Sequence, residues 1–542
     1  MSLNFDNLKN CFSFAIDNII AHGDTDIFLF PYETRMFQDI RESIIDSLME
    51  TYRNFDNHVS ISPPINIDAF STSGYLSYRW TTQIDPYWNA FFLGLTLHLS
   101  EKIEIQRKNR SLVYSYRINP NLEDKSIFDK NIGWKSYQEE SILFCKENDN
   151  IKYILSCDIA DFYTRIYHHP LENALNRLDE PSHDTTKKIL KLLQIFSKTT
   201  SYGLPVGGAA SRILAELALN KIDNQLSYEQ VKFKRFVDDY YIFCDSIDEA
   251  RTQLGLLSTK LMTGLGLTIQ KHKTNIYSKE EFISIATAKL QGGDDDQDAN
   301  YKRFMSLDIT YDPYSQNADE NYELLKQELQ DIDLLGLLGK EIQKAKINQS
   351  FSKRIIKSLS MLSDELFSKA TITIFDNLEV LYPIYTNISY TILRHWEKVS
   401  NEAKQHLLET LGNLIRSKSY IIFNDINLSY TIKILSKENT ESNLNLLMEI
   451  NKQNQNLLIK SIIYQVMIKW EQMDWISDKL KSFPRMDQVD KRLAILSSYI
   501  LGDEGQHWRR HYQKQFNFLE NMYKQWGGYR KSNVAYPLKE AL

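Results

Sequence analysis

Cysteine is scarce in this chain: Cys11, Cys145, Cys157 and Cys244 are the four in 542 residues, and no two form a CxxC pair or fall at a regular spacing. That excludes a disulfide framework and a zinc site of familiar spacing, and a reducing cytoplasm is the expected setting. An excess of positive charge is lacking too. With 64 Lys and Arg against 70 Asp and Glu the formal net charge is -6, so the surface is not a uniformly basic coat and any polyanion must be met by local patches. No run approaches the ~18 uninterrupted apolar residues of a membrane span. The opening MSLNFDNLKNCFSF has no basic segment followed by an apolar one, so neither secretion nor membrane insertion is expected. What the chain has is bulk: 42% hydrophobic content over this length can bury a large core and build two or more domains.

Residues 1–60 show helical spacing, with LKNCFSFAIDNIIAHG stopping at Gly23 in the manner of a helix C-cap. Further on, strand-like runs alternate with helical patterns such as AASRILAELALNKIDNQL. The runs are SLVYSYRI (111–118), IKYILSCDIA (151–160), FKRFVDDYYIFC (233–244) and GLTIQKHKTNIYS (266–278). At 291–299, QGGDDDQDA breaks all periodicity and reads as a linker or exposed loop. Beyond it strand signals vanish and nearly every segment has helical period. The expected fold class is therefore α+β: a mixed unit over residues 1–300, then an all-α unit over 301–542. The loosely paired helices of the second unit point to a HEAT-type solenoid, although no strict period survives.

Two adjacent carboxylates, Asp238 and Asp239, interrupt the apolar run KRFVDDYYIFCDS, and a polar pair in that position reads first as a tight hairpin turn. A second stretch, YILSCDIADFYTRIYHH (153–169), ends a strand-like run on Asp158. Three carboxylates from two strands are what two-metal phosphoryl transfer requires, since two divalent ions about 3.5–4 Å apart need oxygen ligands beside the attacking hydroxyl and the leaving pyrophosphate. A third stretch, TSYGLPVGGAASRILAEL (200–217), is a turn leading into a helix. Its Gly203, Gly207 and Gly208 allow close backbone approach to a strand or nucleotide, and Pro205 stiffens it. The order is strand-end Asp, Gly-Pro-Gly turn with helix, apolar-Asp-Asp hairpin, then GLGLTIQKHKTNI. It resembles motifs A to D in the palm of reverse transcriptases.

IIAHGDTDIFLFPYE (19–33), YRWTTQIDPYWNAFFLGL (78–95), VYSYR (113–117), DIADFYTRIYHH and GLPVGGAASRILAE sharpen this to a resemblance to the abortive-infection (Abi) branch of bacterial reverse-transcriptase-like phage-defence polymerases. That resemblance implies reverse-transcriptase-like palm and fingers followed by an all-α HEAT-like domain, and a nucleotidyltransferase that uses two Mg²⁺ or Mn²⁺ ions. It assigns Asp158, Asp238 and Asp239 to the catalytic, metal-binding carboxylates, and Tyr163 to the aromatic that closes on the sugar 2′-position. Lys273 matches the motif D lysine that protonates the leaving pyrophosphate. Arg110 and Arg117 lie in EKIEIQRKNRSLVYSYRIN, where five basic residues against two acidic ones suit a triphosphate clamp, and Gly207 lies in the turn expected beside the nucleotide. The residues alone leave other readings open: Tyr163 as a core aromatic, Lys273 as a surface lysine, and the two arginines as a solvated face.

Ordinary templated reverse transcriptases carry a glutamine where this chain has Val206, and no primer-grip-like segment follows motif D. The resemblance implies a different start: protein-primed, template-independent DNA synthesis in which a tyrosine hydroxyl is the first nucleophile. Tyr32, Tyr75, Tyr78 and Tyr87 are the candidates. Expected partners are deoxynucleoside triphosphates, a single-stranded DNA product attached to the protein, and further copies of the chain in a trimer or hexamer. The alternatives are templated synthesis on a bound noncoding RNA, and a non-catalytic RNA-binding scaffold. Elsewhere, His22, Asp24 and Asp26 read as a helix cap and turn more than a metal site, and His168 and His169 as structural. The segment HWRRHYQKQFNFLENMYKQW (507–526) reads either as a single-strand binding surface or as an amphipathic packing helix.

Overall fold

The computed structural model describes residues 5–25, 27–29, 31–179, 182–198, 200–290, 304–305, 307, 329, 332–532 and 538–541. Asp26, the linker read at 291–299 and the boundary at residue 300 lie outside these. The first helix, Leu8–His22, ends where its sequence predicts, with Gly23 at φ 79° and its amide on the Ile19 carbonyl. The helix Pro86–Gln106 is buried on nearly every side. Pro86 occupies its first turn and the Asp85 carboxylate accepts the Tyr87 amide at 3.1 Å.

Two antiparallel sheets accompany these helices. A hairpin, β1 (Asn66–Thr72) and β2 (Tyr78–Ile84), was not legible as strand. The larger sheet contains β3 (Tyr153–Asp158), β4 (Phe233–Phe236), β5 (Asp239–Cys244) and β6 (Asn275–Ser278) in the order β4-β5-β3-β6. Both of its faces are covered, and the alternation along the strands shows it. Leu155, Cys157, Tyr240 and Ile242 join a core with the helices Ala209–Tyr228 and Ile247–Leu265. Ile154, Tyr241 and Phe243 pack instead with Tyr137, Ile142 and Phe282 from the helices Trp134–Glu147 and Lys279–Leu290.

The run 111–118 corrects the sequence reading, because it is irregular. It makes two isolated bridges, Val113 to Arg235 and Ile118 to Phe128, and Tyr116 turns to φ 45°. The buried Arg117 takes over hydrogen bonding a strand would have made, donating to the Val113 and Lys108 carbonyls.

From residue 332 on, the described chain is helical. Tyr385–Arg394 packs on Asp425–Leu435, which packs on Leu457–Lys469, then Gln488–Ser497, then Phe518–Ser532, so every second helix stacks into one layer. The last helices close back on the N-terminal segment: Tyr523 donates to Glu33 at 2.8 Å, the Trp526 indole to Asp39 at 2.6 Å, and Arg492 pairs with Asp85. One hydrophobic core draws on residues 5–267 and again on 464–538, and a second on 304–470 with Phe28 and Ala69. Burial therefore crosses residue 300 in both directions. Among the described residues no helix is long and apolar enough to cross a membrane.

Candidate active site

Asp158 ends β3 and lies directly opposite Asp239, the first residue of β5. Strand alternation puts both on the same face as Ile154 and Tyr241. Because Phe236 pairs with Asp239, the hairpin turn has only two residues, Val237 and Asp238. Val237 adopts φ 54°, the position where such turns favour glycine. For a β-branched residue that costs on the order of 1–3 kcal/mol. The surroundings hold it there. Arg235, fully buried, donates Nη1 to the Val237 carbonyl at 2.7 Å, Nε to Asp223 at 3.0 Å and Nη2 to Glu216 at 2.9 Å. Glu216 and Asp223 share one face of the helix Ala209–Tyr228. Burial works against the Glu216 charge, yet the Arg235 and Arg107 guanidiniums outweigh it and hold the carboxyl below its ordinary value. The reading by motif missed this network. Its signal was a lone arginine in a strand-like run with two acids seven positions apart on the preceding helix.

The turn brings Asp158, Asp238 and Asp239 together, with one oxygen of each within 4.8 Å of the others. Burial, then the charges of Asp158 and Asp239, push the Asp238 carboxyl up to about 7. Burial and the Asp158 charge push Asp239 to about 6. Lys273, in the single turn Lys271–Lys273, places Nζ 2.9 Å from Asp158 Oδ2. Partial burial disfavours its charge, but the hydrogen bond and charge of Asp158, with Asp239 and Asp238 behind, raise its pKa above that of an ordinary lysine. Lys273 and, on Asp239, the more distant Lys289 are the cations acting on the three acids, which leaves the cluster under-neutralised. An all-oxygen donor set of that kind fits a hard divalent cation.

The other predicted residues distribute around this centre. The Tyr163 carbonyl accepts the Leu204 amide at 2.8 Å, joining the Asp158 turn to the glycine-rich turn, and its ring packs on Phe162. Burial and neighbouring Tyr116 push its hydroxyl well above tyrosine's usual value. Gly207, at φ 112°, lines a cleft of about 200 Å³ with Asn89, Phe128 and Arg212. Arg110 is exposed and 3.3 Å from Asp129. Arg117 departs from expectation: it is 1% exposed and spends Nε, Nη1 and Nη2 on Val113, Glu104 and Lys108, which leaves its guanidinium inside the fold.

Of the four tyrosines, Tyr32 is buried against Trp526, Tyr87 bonds Ser47 and Thr51, and Tyr75 bonds Val380 and the Ile347 amide. Tyr78 is 51% exposed. His22 bonds the Asp124 carbonyl and Asp24 accepts from Gln83, and among the described residues neither joins a cluster of metal-ligating side chains. His168 is structural, with its Nε2 2.9 Å from the Gly203 carbonyl. In the 507–526 segment Trp508, Tyr512 and Phe516 pack inward on Phe483, the amphipathic arrangement.

Residues 109–309 match a sequence family described as reverse transcriptase (RNA-dependent DNA polymerase). No curated protein matches the chain in sequence. Among solved structures, the telomerase from Candida albicans in complex with a TWJ fragment of telomeric RNA is similar at a TM-score of 0.30 and 10% identity, over 75% of this chain and 70% of that one. The family match spans the whole four-stranded sheet and its three carboxylates, so the chain carries a reverse-transcriptase-like domain over residues 109–309.

Proposed function

We propose that this protein is a reverse-transcriptase-like DNA polymerase of abortive-infection antiviral defence, working in the cytoplasm and adding deoxynucleotides from a start on the protein itself. The observation that carries the polymerase reading is the convergence of Asp158, Asp238 and Asp239 at a turn the fold keeps strained. In this reading residues 1–300 form the polymerase unit and 301–542 a HEAT-like helical unit whose last helices close onto it. Asp158, Asp238 and Asp239 would hold two Mg²⁺ or Mn²⁺ ions. Such ions, when bound, acidify the attacking hydroxyl and neutralise the charge of the triphosphate.

The chain's own groups do the rest. Lys273, held protonated by the aspartates, is placed to give a proton to the departing pyrophosphate. Tyr163 closes the sugar side of the pocket, Gly207 lets the backbone approach the nucleotide, and the exposed Arg110 is the phosphate contact from the preceding segment. Val206 spends its amide and carbonyl on Thr82, so the residue that stands where a templated enzyme has glutamine offers a template neither a side-chain donor nor its own amide, which supports untemplated synthesis. Among the priming candidates Tyr78 is favoured, because the other three hydroxyls lie on buried or hydrogen-bonded side chains.

The test is synthesis by the purified full-length protein with Mg²⁺ or Mn²⁺ and deoxynucleotides alone. Polymer is expected, and Asp238→Asn abolishes it; an Asp238→Asn protein as active as wild type would remove the carboxylates from the chemistry. Product that stays with the protein under denaturing conditions, and is lost in Tyr78→Phe, supports protein priming. Free product that disappears after ribonuclease pretreatment of the protein would instead establish templating by a bound RNA.

A further inference from the structure

The inner face of the β1–β2 hairpin is buried through Ala69, Ser71, Thr81 and Gln83. Its outer face is left open and aromatic. Phe70, Tyr78 and Trp80 lie there, 43%, 51% and 50% exposed, and Phe70 and Trp80 are cross-strand partners with ring centroids 3.9 Å apart. Large aromatic rings left in water in this way mark a binding surface more often than an accident of packing.

Trp80 also walls a groove of about 230 Å³ whose far side is Tyr202 and the Leu204–Val206 part of the glycine-rich turn. The hairpin is fixed to that turn, since the Val206 amide donates to Thr82 Oγ1 at 2.7 Å. Past the groove, Tyr202 pairs with the exposed Tyr167 at 5.5 Å, and the Arg165 guanidinium lies over the Tyr202 ring at 5.9 Å. The exposed Lys198 lines the same groove, 2.6 Å from Asp68. Arg165 ends the short helix Phe162–Arg165 that follows the strand ending at Asp158, and Tyr167 comes two residues later.

We propose that this strip, from Phe70 and Trp80 across the groove to Tyr202 and Tyr167, holds single-stranded nucleic acid passing to or from the catalytic turn. Bases stack on the rings, and Lys198 and Arg165 meet the phosphates. Aromatic faces interleaved with cations suit a strand whose bases present a π-face and whose backbone is anionic. The polar groove wall of Asn66, Thr82 and Thr164 suits base edges better than the apolar face of a second copy of this chain. The choice of ligand rests on the polymerase reading, and the experiment separates the two.

Fluorescence anisotropy of labelled oligothymidylate, titrated with the full-length protein without metal or nucleotides, reads binding alone. The Phe70→Ala, Trp80→Ala double variant should weaken binding about tenfold or more, and Trp80→Tyr should restore most of it. Lys198→Ala should lower the slope of log affinity against log salt by about one. Tyr228→Ala, which removes an exposed ring outside the strip, should bind as wild type does, which ties the effect to the strip and not to exposed aromatics in general. Unchanged affinity in the double variant overturns the inference. So does a double variant that falls from oligomer to monomer on sedimentation while its binding is unaltered, which would make the face a contact between copies. Binding that depends on the strip in a protein that synthesises nothing would support the strip and sink the polymerase reading.

Discussion

At the scale of single residues, Lys273 separates chemistry from charge balance. It is the cation hydrogen-bonded to the acidic cluster. Were it only a counter-ion, metal would replace its charge and its loss would be silent at saturating Mg²⁺. As a proton donor it cannot be replaced that way. Lys273→Ala should therefore lower the rate of nucleotide addition about 10²-fold with little change in nucleotide KM; a rate within twofold of wild type at saturating metal would return Lys273 to the surface. Tyr163 is tested by sugar choice. Its ring is held by Phe162 and its backbone by Leu204, so Tyr163→Val opens space without unseating the turn. Ribonucleotide use should rise relative to deoxynucleotide in competition assays, and an unchanged ratio would make Tyr163 a packing residue. The carboxylates were legible at this scale because acids inside apolar strands are costly unless something binds them. Arg117 was not, because a basic segment looks the same whether its cations face solvent or are spent inside.

At the scale of elements, the β4–β5 hairpin depends on the helix Ala209–Tyr228. Arg235 bonds Glu216, Asp223 and the Val237 carbonyl at once, so helix, strand and strained turn share one guanidinium. Arg235→Met leaves Asp223 with the Tyr240 hydroxyl, and Glu216 with Arg107 and the Ser115 hydroxyl. Breaking a buried pair from one side costs about 3–5 kcal/mol, and urea denaturation should show a loss of that order. A change below about 1 kcal/mol would mean that the network contributes little. The strands themselves were legible as short apolar runs ending or beginning on an acid, the pattern of a sheet covered on both faces. The β1–β2 hairpin was not, since its outer face is aromatic where an exposed strand is expected to be polar.

At the scale of the molecule, the C-terminal helices are locked to the N-terminal segment through buried ionisable groups. Glu33 accepts from Tyr523 beside Asp85, Arg492 and Tyr32, and burial with the Asp85 charge raises its carboxyl to about 7 from the usual 4.5. A raised carboxyl means that the folded state keeps the proton after the unfolded state has released it. Its contribution to stability is full below about pH 4.5 and is lost as pH rises through about 7. Glu33→Gln keeps the acceptor for Tyr523 and removes the titration. Thermal melts should therefore show wild type losing stability relative to Glu33→Gln across that window, by on the order of 2–3 kcal/mol. Parallel curves would show that Glu33 does not titrate there.

The sequence by itself determined which three carboxylates converge, the order of strand-end acid, glycine-rich turn and paired-acid hairpin, and the helical character of the described chain from residue 332 on. These are local: they are written in residue type, in spacing of two or 3.6, and in the residues that punctuate turns. Only the tertiary structure decided which side chains remain available. It buried Arg117, engaged Tyr75 and Tyr87, stacked Tyr32 under Trp526 and left Trp80 and Tyr78 open. Those outcomes depend on partners far away in the chain, such as Arg492 on Asp85 at 407 positions and Tyr523 on Glu33 at 490. No window of sequence contains both members of such a pair, so their meeting is fixed by how the helices close on the sheet.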